Sequence, residues 1–278
     1  RRIIEVYLGK AKVTDDAPST HLLKERLRFV KMNATNLLVD YGLKHTRTFL
    51  SILEPYVRSP EDRFAALMLL LALISHENCH PSHLARTPIL QNILKTIAYD
   101  KDDTVPMAIS ILCMALPLIC RTLGSQVSDI LLVYYRTIGG FSVATPSAEQ
   151  NDEDWQILSG HQSPRVFFDG LCLVTLLYGL FPFNVIKFCR LPDLYFATSK
   201  GPLFGNLKIV DLTKNLNSDL NVAPGEIDMK TEAKNRLTAT LLGLSLHPKL
   251  LNTENFDLKL ELEVPLEWIS LSNHGKVM

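Results

Sequence analysis

Only one stretch of this 278-residue sequence gathers side chains that ligate metals: His76-Glu77-Asn78-Cys79-His80-Pro81-Ser82-His83. Cysteine and histidine two to four residues apart is zinc-site spacing. A structural zinc site needs four converging ligands, and no second Cys/His cluster completes a set. His80-Pro81 also reads as a turn between helices, so no metal is assigned. Gly243-Leu-Ser245-Leu-His247 has the outline of a nucleophile elbow. That motif requires a second glycine after the serine and a strand before it, whereas position 247 is His and the surroundings read as helical. No Gly-x-x-x-x-Gly-Lys-Ser/Thr loop and no dinucleotide fingerprint occurs. The acidic groups Glu61-Asp62, Asp102-Asp103 and Asp152-Glu153-Asp154 fall at helix starts or in a polar loop, where capping or solvation accounts for them. No catalytic residue, cofactor site or small-molecule substrate is expected, and the chain is read as a non-enzyme.

One charged pattern remains as a binding candidate. Lys24, Arg28 and Lys31 recur at i, i+4 and i+7, a basic stripe on one helix with Arg26 beside it. Such a stripe can contact anionic lipid headgroups at up to ~1 kcal/mol per charge; a solvated helix face is the other reading. Globally, 29 Lys and Arg balance 29 Asp and Glu, so no net field steers the chain to nucleic acid. Hydrophobic residues at 47% supply a core, and charged residues at 21% are too few for a disordered chain. Cys79, Cys113, Cys120, Cys172 and Cys189 are odd in number and mostly lie in apolar runs. That predicts free, buried thiols in a reducing compartment. The uncharged runs 105–120 and 170–186 fall short of the ~20 residues a bilayer needs, and both contain proline. They are predicted to be buried helices. The sequence has no initiator Met and is expected to be a piece of a longer chain.

These residues must be carried by helices, because strand signals are nearly absent from the first two hundred positions. The stretch 167–190 organises the rest. Leu171, Val174, Tyr178 and Phe181 recur at helical spacing, as do Leu173, Leu176, Leu177 and Leu180, so this helix reads as apolar nearly all round. Gly179 weakens its end, and Pro182 suits the first turn of a new helix. Two helices meeting at Pro182 are therefore predicted, the second over 183–191 with Lys187 and Arg190 in solvent.

Upstream, a helix starts at Pro18-Ser19 with Leu22, Leu23, Leu27 and Val30 inward. A separate one follows over 35–43, and another over 46–57, bent or ended near Pro55. Ser59 as cap with Pro60 at the first position opens an almost wholly apolar helix over 63–75, expected to be covered on both sides. Thr87-Pro88 opens 89–99. A long helix then runs from Asp102 or Asp103 through Pro117 to Gly124, and the next runs to Gly139-Gly140. Residues 141–165 read as an exposed loop and 194–230 as irregular. Residues 224–247 read as helical, with Leu237, Leu241, Leu242 and Leu244 buried. Residues 256–264 alternate apolar and charged, as an extended segment does, and Trp268 sits in a closing turn. Consecutive helices with short turns and no strict repeat period predict an all-α, irregular HEAT-like helical-repeat solenoid, one domain over 1–278.

Several of these runs carry a resemblance. Leu38-Val39-Asp40-Tyr41, Phe49-Leu50-Ser51-Ile52-Leu53-Glu54-Pro55-Tyr56-Val57, the apolar helix at 63–74, Pro88-Ile89-Leu90 with Ile93-Leu94-Lys95, and Leu116-Pro117-Leu118-Ile119 resemble the amino-terminal domain of the hamartin family. The most specific likeness is Leu177-Tyr178-Gly179-Leu180-Phe181-Pro182-Phe183-Asn184-Val185 with Phe188 and Arg190, and His247-Pro248 with Leu250 is similar too. The resemblance covers 37–250, interrupted at 141–165 and 194–230, and the sequence looks like a divergent fungal member. It implies a helical solenoid without catalytic activity, belonging to a protein that partners and stabilises tuberin, the subunit that accelerates GTP hydrolysis on the small GTPase Rheb. Through that complex the family restrains target-of-rapamycin growth and nutrient signalling. It further implies a cytoplasmic protein with peripheral association at phosphoinositide-bearing lysosomal, vacuolar or endosomal membranes. The family's coiled coil is not matched, because no sustained heptads occur here. Independently of the resemblance, the residues fit a generic helical-repeat adaptor for peptide or trafficking partners, or a membrane-recruitment module binding anionic lipids.

Overall fold

The computed structural model describes residues 2–10, 20–79, 81–100, 104–138, 164–199, 201–203, 235–240 and 243, with the side chains of 20–24, 164–169 and 193 outside the description. The helices are α1 (Arg2–Tyr7), α2 (Thr20–Lys44), α3 (Thr46–Arg58), α4 (Arg63–Ile74), α5 (Pro88–Tyr99), α6 (Val105–Leu123), α7 (Val127–Thr137), α8 (Pro164–Leu180), α9 (Pro182–Arg190) and α10 (Pro192–Thr198). Two 3-10 turns, Pro81–Arg86 and Gly124–Gln126, precede α5 and α7. Among the described residues there is no strand.

The packing order reveals the architecture. In one layer α2 packs on α4, α4 on α6 and α6 on α8; in the other α3 packs on α5, α5 on α7 and α7 on α9. Cross-layer contacts (α2 with α3, α5 with α6, α7 with α8, α8 with α9) close each hairpin. This is the two-layer stack of a HEAT-like solenoid, in which each helix pair buries its apolar side only against its neighbours. The core is a single cluster between the layers, including Phe49, Leu53, Leu67, Leu70, Leu90, Ile93, Ile109, Leu112, Leu116, Ile130, Leu131 and Tyr134.

Two arginines, buried Arg63 on α4 and half-buried Arg136 on α7, tie down the ends of α3 and α5. Arg63 donates from Nε to the Val57 carbonyl (2.9 Å), from Nη2 to the Arg58 carbonyl (2.7 Å) and from Nη1 to the Asp100 carboxylate (2.9 Å). Arg136 on α7 donates to the Ile97 carbonyl and to the Asp100 carbonyl (3.2 Å). The ends of α3 and α5, where helix carbonyls lack intrahelical donors, are thus satisfied from neighbouring repeats. At Gly42 the α2 backbone approaches α4 so closely that a Cβ would lie 2.9 Å from Leu73 Cδ1. Gly124 takes φ +40° and ends α6.

Several expectations are corrected. Residues 20–44 form one helix, not two: Thr35 donates its hydroxyl to the Lys31 carbonyl (2.8 Å), so it bonds back within the helix instead of capping a new one. Leu27 and Val30, expected inward, are 44% and 46% exposed, because α2 runs past the core there and residues 25–33 are exposed all round. Helix α4 begins at Arg63, not Pro60; Ser59 acts through its carbonyl, which accepts from the Asp62 and Arg63 amides, and Ser59 to Asp62 form a turn. Asp62 pairs instead with the Lys10 ammonium. Nor is α4 covered on both sides, since Phe64 and Met68 are exposed. Helix α8 buries Leu173, Val174 and Leu177 but exposes Cys172, Thr175 and Gly179, so it is one-sided rather than apolar all round in its surroundings. Cys79, Cys120 and Cys189 are buried free thiols as expected, but Cys113 is half-buried and Cys172 exposed.

The expected loop lies outside the described residues up to position 163, and Pro164 already begins α8. The irregular segment opens as helix through Thr198, and its residues 204–230 lie outside the described residues. Residues 235–240 and 243 are helical with Leu237 buried; Leu241, Leu242, Leu244, 256–264 and Trp268 lie outside the description. By length and apolar composition 105–137 could cross a membrane. Here it is α6, a break at Gly124, and α7, with Ile109, Leu112, Leu116, Ile130 and Val133 covered by other helices.

Candidate functional site

The hairpin corner is built by the residues that carried the most specific resemblance. Phe181 bridges α8 and α9: its amide donates to Leu177 (2.6 Å) and its carbonyl accepts from Val185 (3.1 Å). Pro182 follows as the first residue of α9 and is buried. Asn184 is buried and accepts from the Tyr195 hydroxyl (2.7 Å), fastening α9 to α10. Phe188 is fully buried, its ring 5.5–6.0 Å from those of Tyr134, Tyr135, Tyr195 and Phe196. Tyr178 and Phe183 are half-buried, Gly179 is exposed, and Lys187 and Arg190 face solvent. The corner has an architectural role, with Asn184 bonded and Phe188 enclosed by aromatic rings.

Among the described residues the zinc-like cluster does not assemble. His76 and His83 are exposed, His76 Nδ1 accepts from the Asn78 amide (3.3 Å), and Cys79 is buried, which pushes its thiol up. His80 lies outside the described residues, and among those described no three His, Cys, Asp or Glu converge. Gly243 is helical, unlike the residue opening a strand-borne nucleophile elbow.

Two surfaces remain. The first surrounds the basic stripe. Arg28 and Lys31 are exposed, and Lys31 Nζ lies over the Tyr7 ring of α1, 5.1 Å from its centroid; the Lys24 side chain lies outside the description. Beside them Leu27, Phe29, Val30 and Met32 are exposed as well. The second surface is the outer side of the α2/α4/α6 layer. Three neighbouring helices each leave an i, i+4 pair in solvent: Leu37 and Tyr41, Phe64 and Met68, Met114 and Leu118, the last 62% exposed. No charged residue lies between Phe64 and Ser75 or between Val105 and Cys120. That layer also exposes Asp40, Lys44 and Arg121 at its helix ends, and the opposite layer exposes Arg47, Arg58, Lys187 and Arg190. Sequence reasoning missed this face because a charge-free run reads as interior; the signal was the methionines, whose flexible side chains suit adaptable contact surfaces.

The family model described as "Hamartin, N-terminal domain" matches residues 8–207. The chain belongs to the hamartin amino-terminal domain family. The match begins well before Leu37, so the basic stripe of this hamartin-type chain lies within it, contrary to the narrower span read from the sequence. A protein of Schizosaccharomyces pombe described as tuberous sclerosis 1 protein homolog is 21% identical over 222 residues, 70% of this chain and 24% of that protein. Two solved structures are similar. "TSC1 N-terminal domain" has TM-score 0.61 at 20% identity, covering 97% of this chain and 60% of its own. "Structure of TSC1 NTD and linker domain" has TM-score 0.53 at 19% identity, covering 100% and 67%. At these identities the structures establish the shared helical fold. The chain spans about a quarter of the length of the curated relative.

Proposed function

We propose that this chain is the non-catalytic scaffold domain of a hamartin-type protein, whose full-length form partners and stabilises tuberin, the GTPase-activating subunit for Rheb, and so restrains target-of-rapamycin signalling. The observation that carries this reading is the family match over residues 8–207. A stacked-helix domain supports it physically, since such arrays hold extended surfaces rigidly in place. The protein works in the cytoplasm. Full-length protein is expected to retain tuberin in a pull-down, with the isolated domain run beside it. Full-length protein that fails to retain or stabilise tuberin overturns the assignment.

A second role, recruitment to phosphoinositide-bearing lysosomal, vacuolar or endosomal membranes, is favoured by one feature of α2. Its basic residues are interleaved with exposed Leu27, Phe29, Val30 and Met32, the pairing of charge and apolar insertion that interfacial helices use. Co-sedimentation with anionic liposomes is expected to fall with added salt and to fall sharply in Lys24→Glu, Arg28→Glu, Lys31→Glu. Binding that survives the triple reversal removes this patch from consideration.

A further inference from the structure

The outer side of the α2/α4/α6 layer combines two features that packing of the array does not call for. Its exposed apolar pairs lie on three neighbouring helices, and the two flanking helices each follow the pair with an exposed cation. Lys44 comes three positions after Tyr41 on α2, and Arg121 three positions after Leu118 on α6, so each cation shares the side of its helix that carries the pair. Between them α4 ends in exposed Ser75 and His76, and the Ser75 hydroxyl donates to Met114 Sδ (3.8 Å), which ties this end of α4 to the apolar pair of α6. Lys44, His76 and Arg121 therefore border one edge of the apolar face, with the His45 ring 5.1 Å from that of Tyr41. The exposed acids at this edge, among the described residues, are Asp40 and Glu77. The opposite edge of the stack pairs its charges internally, Lys10 with Asp62 and Arg63 with Asp100.

We propose that this face docks an acidic amphipathic helix of a partner protein, its apolar side seated on Tyr41, Met68, Met114 and Leu118 and its carboxylates set against Lys44 and Arg121. Charge fixes the sign of the partner. The chain as a whole is balanced, 29 Lys and Arg against 29 Asp and Glu, so the cations along this edge are a local feature, and a basic partner would meet them unpaired. Shape fits a helix. Neighbouring axes in a layer lie about 8–10 Å apart, so three helices offer a seat about 16–20 Å across, which roughly a dozen residues of partner helix span. Apolar anchors one turn apart are what helix-in-groove recognition uses, and methionines re-pack around the side chains they meet. The bilayer reading belongs to residues 25–33 of α2, which project beyond the array and are exposed all round; this face is one side of a packed, ridged layer.

Fluorescence anisotropy with two labelled peptides tests this. Both are helical, about fourteen residues long, with leucines along one side, flanked in one by glutamates and in the other by lysines. The glutamate peptide is expected to bind this chain about tenfold more tightly than the lysine peptide, or better. Lys44→Glu with Arg121→Glu is expected to reverse that preference. Met68→Ser with Leu118→Ser is expected to weaken the glutamate peptide about tenfold or more. All four substituted residues are exposed, so the melting temperature should hold. Lys187→Glu with Arg190→Glu, on the opposite layer, is expected to leave the glutamate peptide unaffected. Equal affinity for the two peptides overturns the charge match. Undiminished binding in Met68→Ser, Leu118→Ser, or an equal loss in Lys187→Glu, Arg190→Glu, overturns the seat. Sedimentation with anionic liposomes that is lost in Met68→Ser, Leu118→Ser assigns the face to a membrane and overturns the helical partner.

Discussion

Arg63 illustrates how a single side chain is committed here. The residue is 3% exposed, and its guanidinium donates to two main-chain carbonyls and one carboxylate. Truncating it removes the guanidinium from the Asp100 carboxylate and from the end of α3 together, so Arg63→Ala is expected to cost about 3–5 kcal/mol in urea denaturation. The sequence showed Arg63 only as the first residue of an apolar run, with nothing to mark its three partners. Cys189 makes a different point. Burial pushes its thiol from the ordinary 9.0 up to about 12, and burial likewise pushes the Tyr134 phenol up. Between pH 9 and 12 the unfolded chain has released the Cys189 proton and the folded chain has not. The unfolded state then binds fewer protons, so stability falls as pH rises through that window. Alkaline titration of the unfolding midpoint checks this, and Cys189→Ser is expected to flatten the loss. In thiol labelling of the native protein, Cys172, which is exposed, should react before Cys189.

At the scale of the helix, the outer face of α4 and its buried face should respond differently to the same change. Leu67 and Leu70 are fully buried, whereas Phe64 and Met68 are exposed. Leu67→Ala is expected to cost about 2–5 kcal/mol and Met68→Ser less than about 1 kcal/mol by chemical denaturation; equal costs would mean that α4 is covered on both sides after all. On α8, Leu177→Pro removes the helical amide at a fully buried position and should cost ~3 kcal/mol or more, read as a lowered melting temperature. Start signals were legible where proline opened the first turn directly, as at Pro88 and Pro182. They misled at Pro60 and Thr35. There the same residue types served a turn and an i−4 bond inside a helix, a choice settled by neighbouring backbone rather than by local propensity.

Across the whole molecule, stability should grade along the array, because terminal repeats have one neighbour and central ones have two. Amides of α5 and α6 are expected to be the slowest to exchange and those of residues 25–33 among the fastest, since every side chain there is exposed; hydrogen exchange that is uniform along 20–138 would contradict a stacked array. The periodicity of apolar residues, the proline starts and the short turns determined that the chain is helical and repetitive, because helix spacing and breaker residues act over a few positions. The corner at Phe181-Pro182 was legible for that reason, and its residues also carried the likeness to hamartin. Which sides of those helices face water was decided by tertiary structure alone. An apolar pair such as Leu37 and Tyr41 or Phe64 and Met68 is buried only if a neighbour arrives to cover it, and the stacking of layers brings one to Leu67 and none to Met68. The contacts of α7 with Leu203 and Thr240 lay equally beyond the sequence, since they join positions 74 and 106 residues apart whose local signals make no reference to one another.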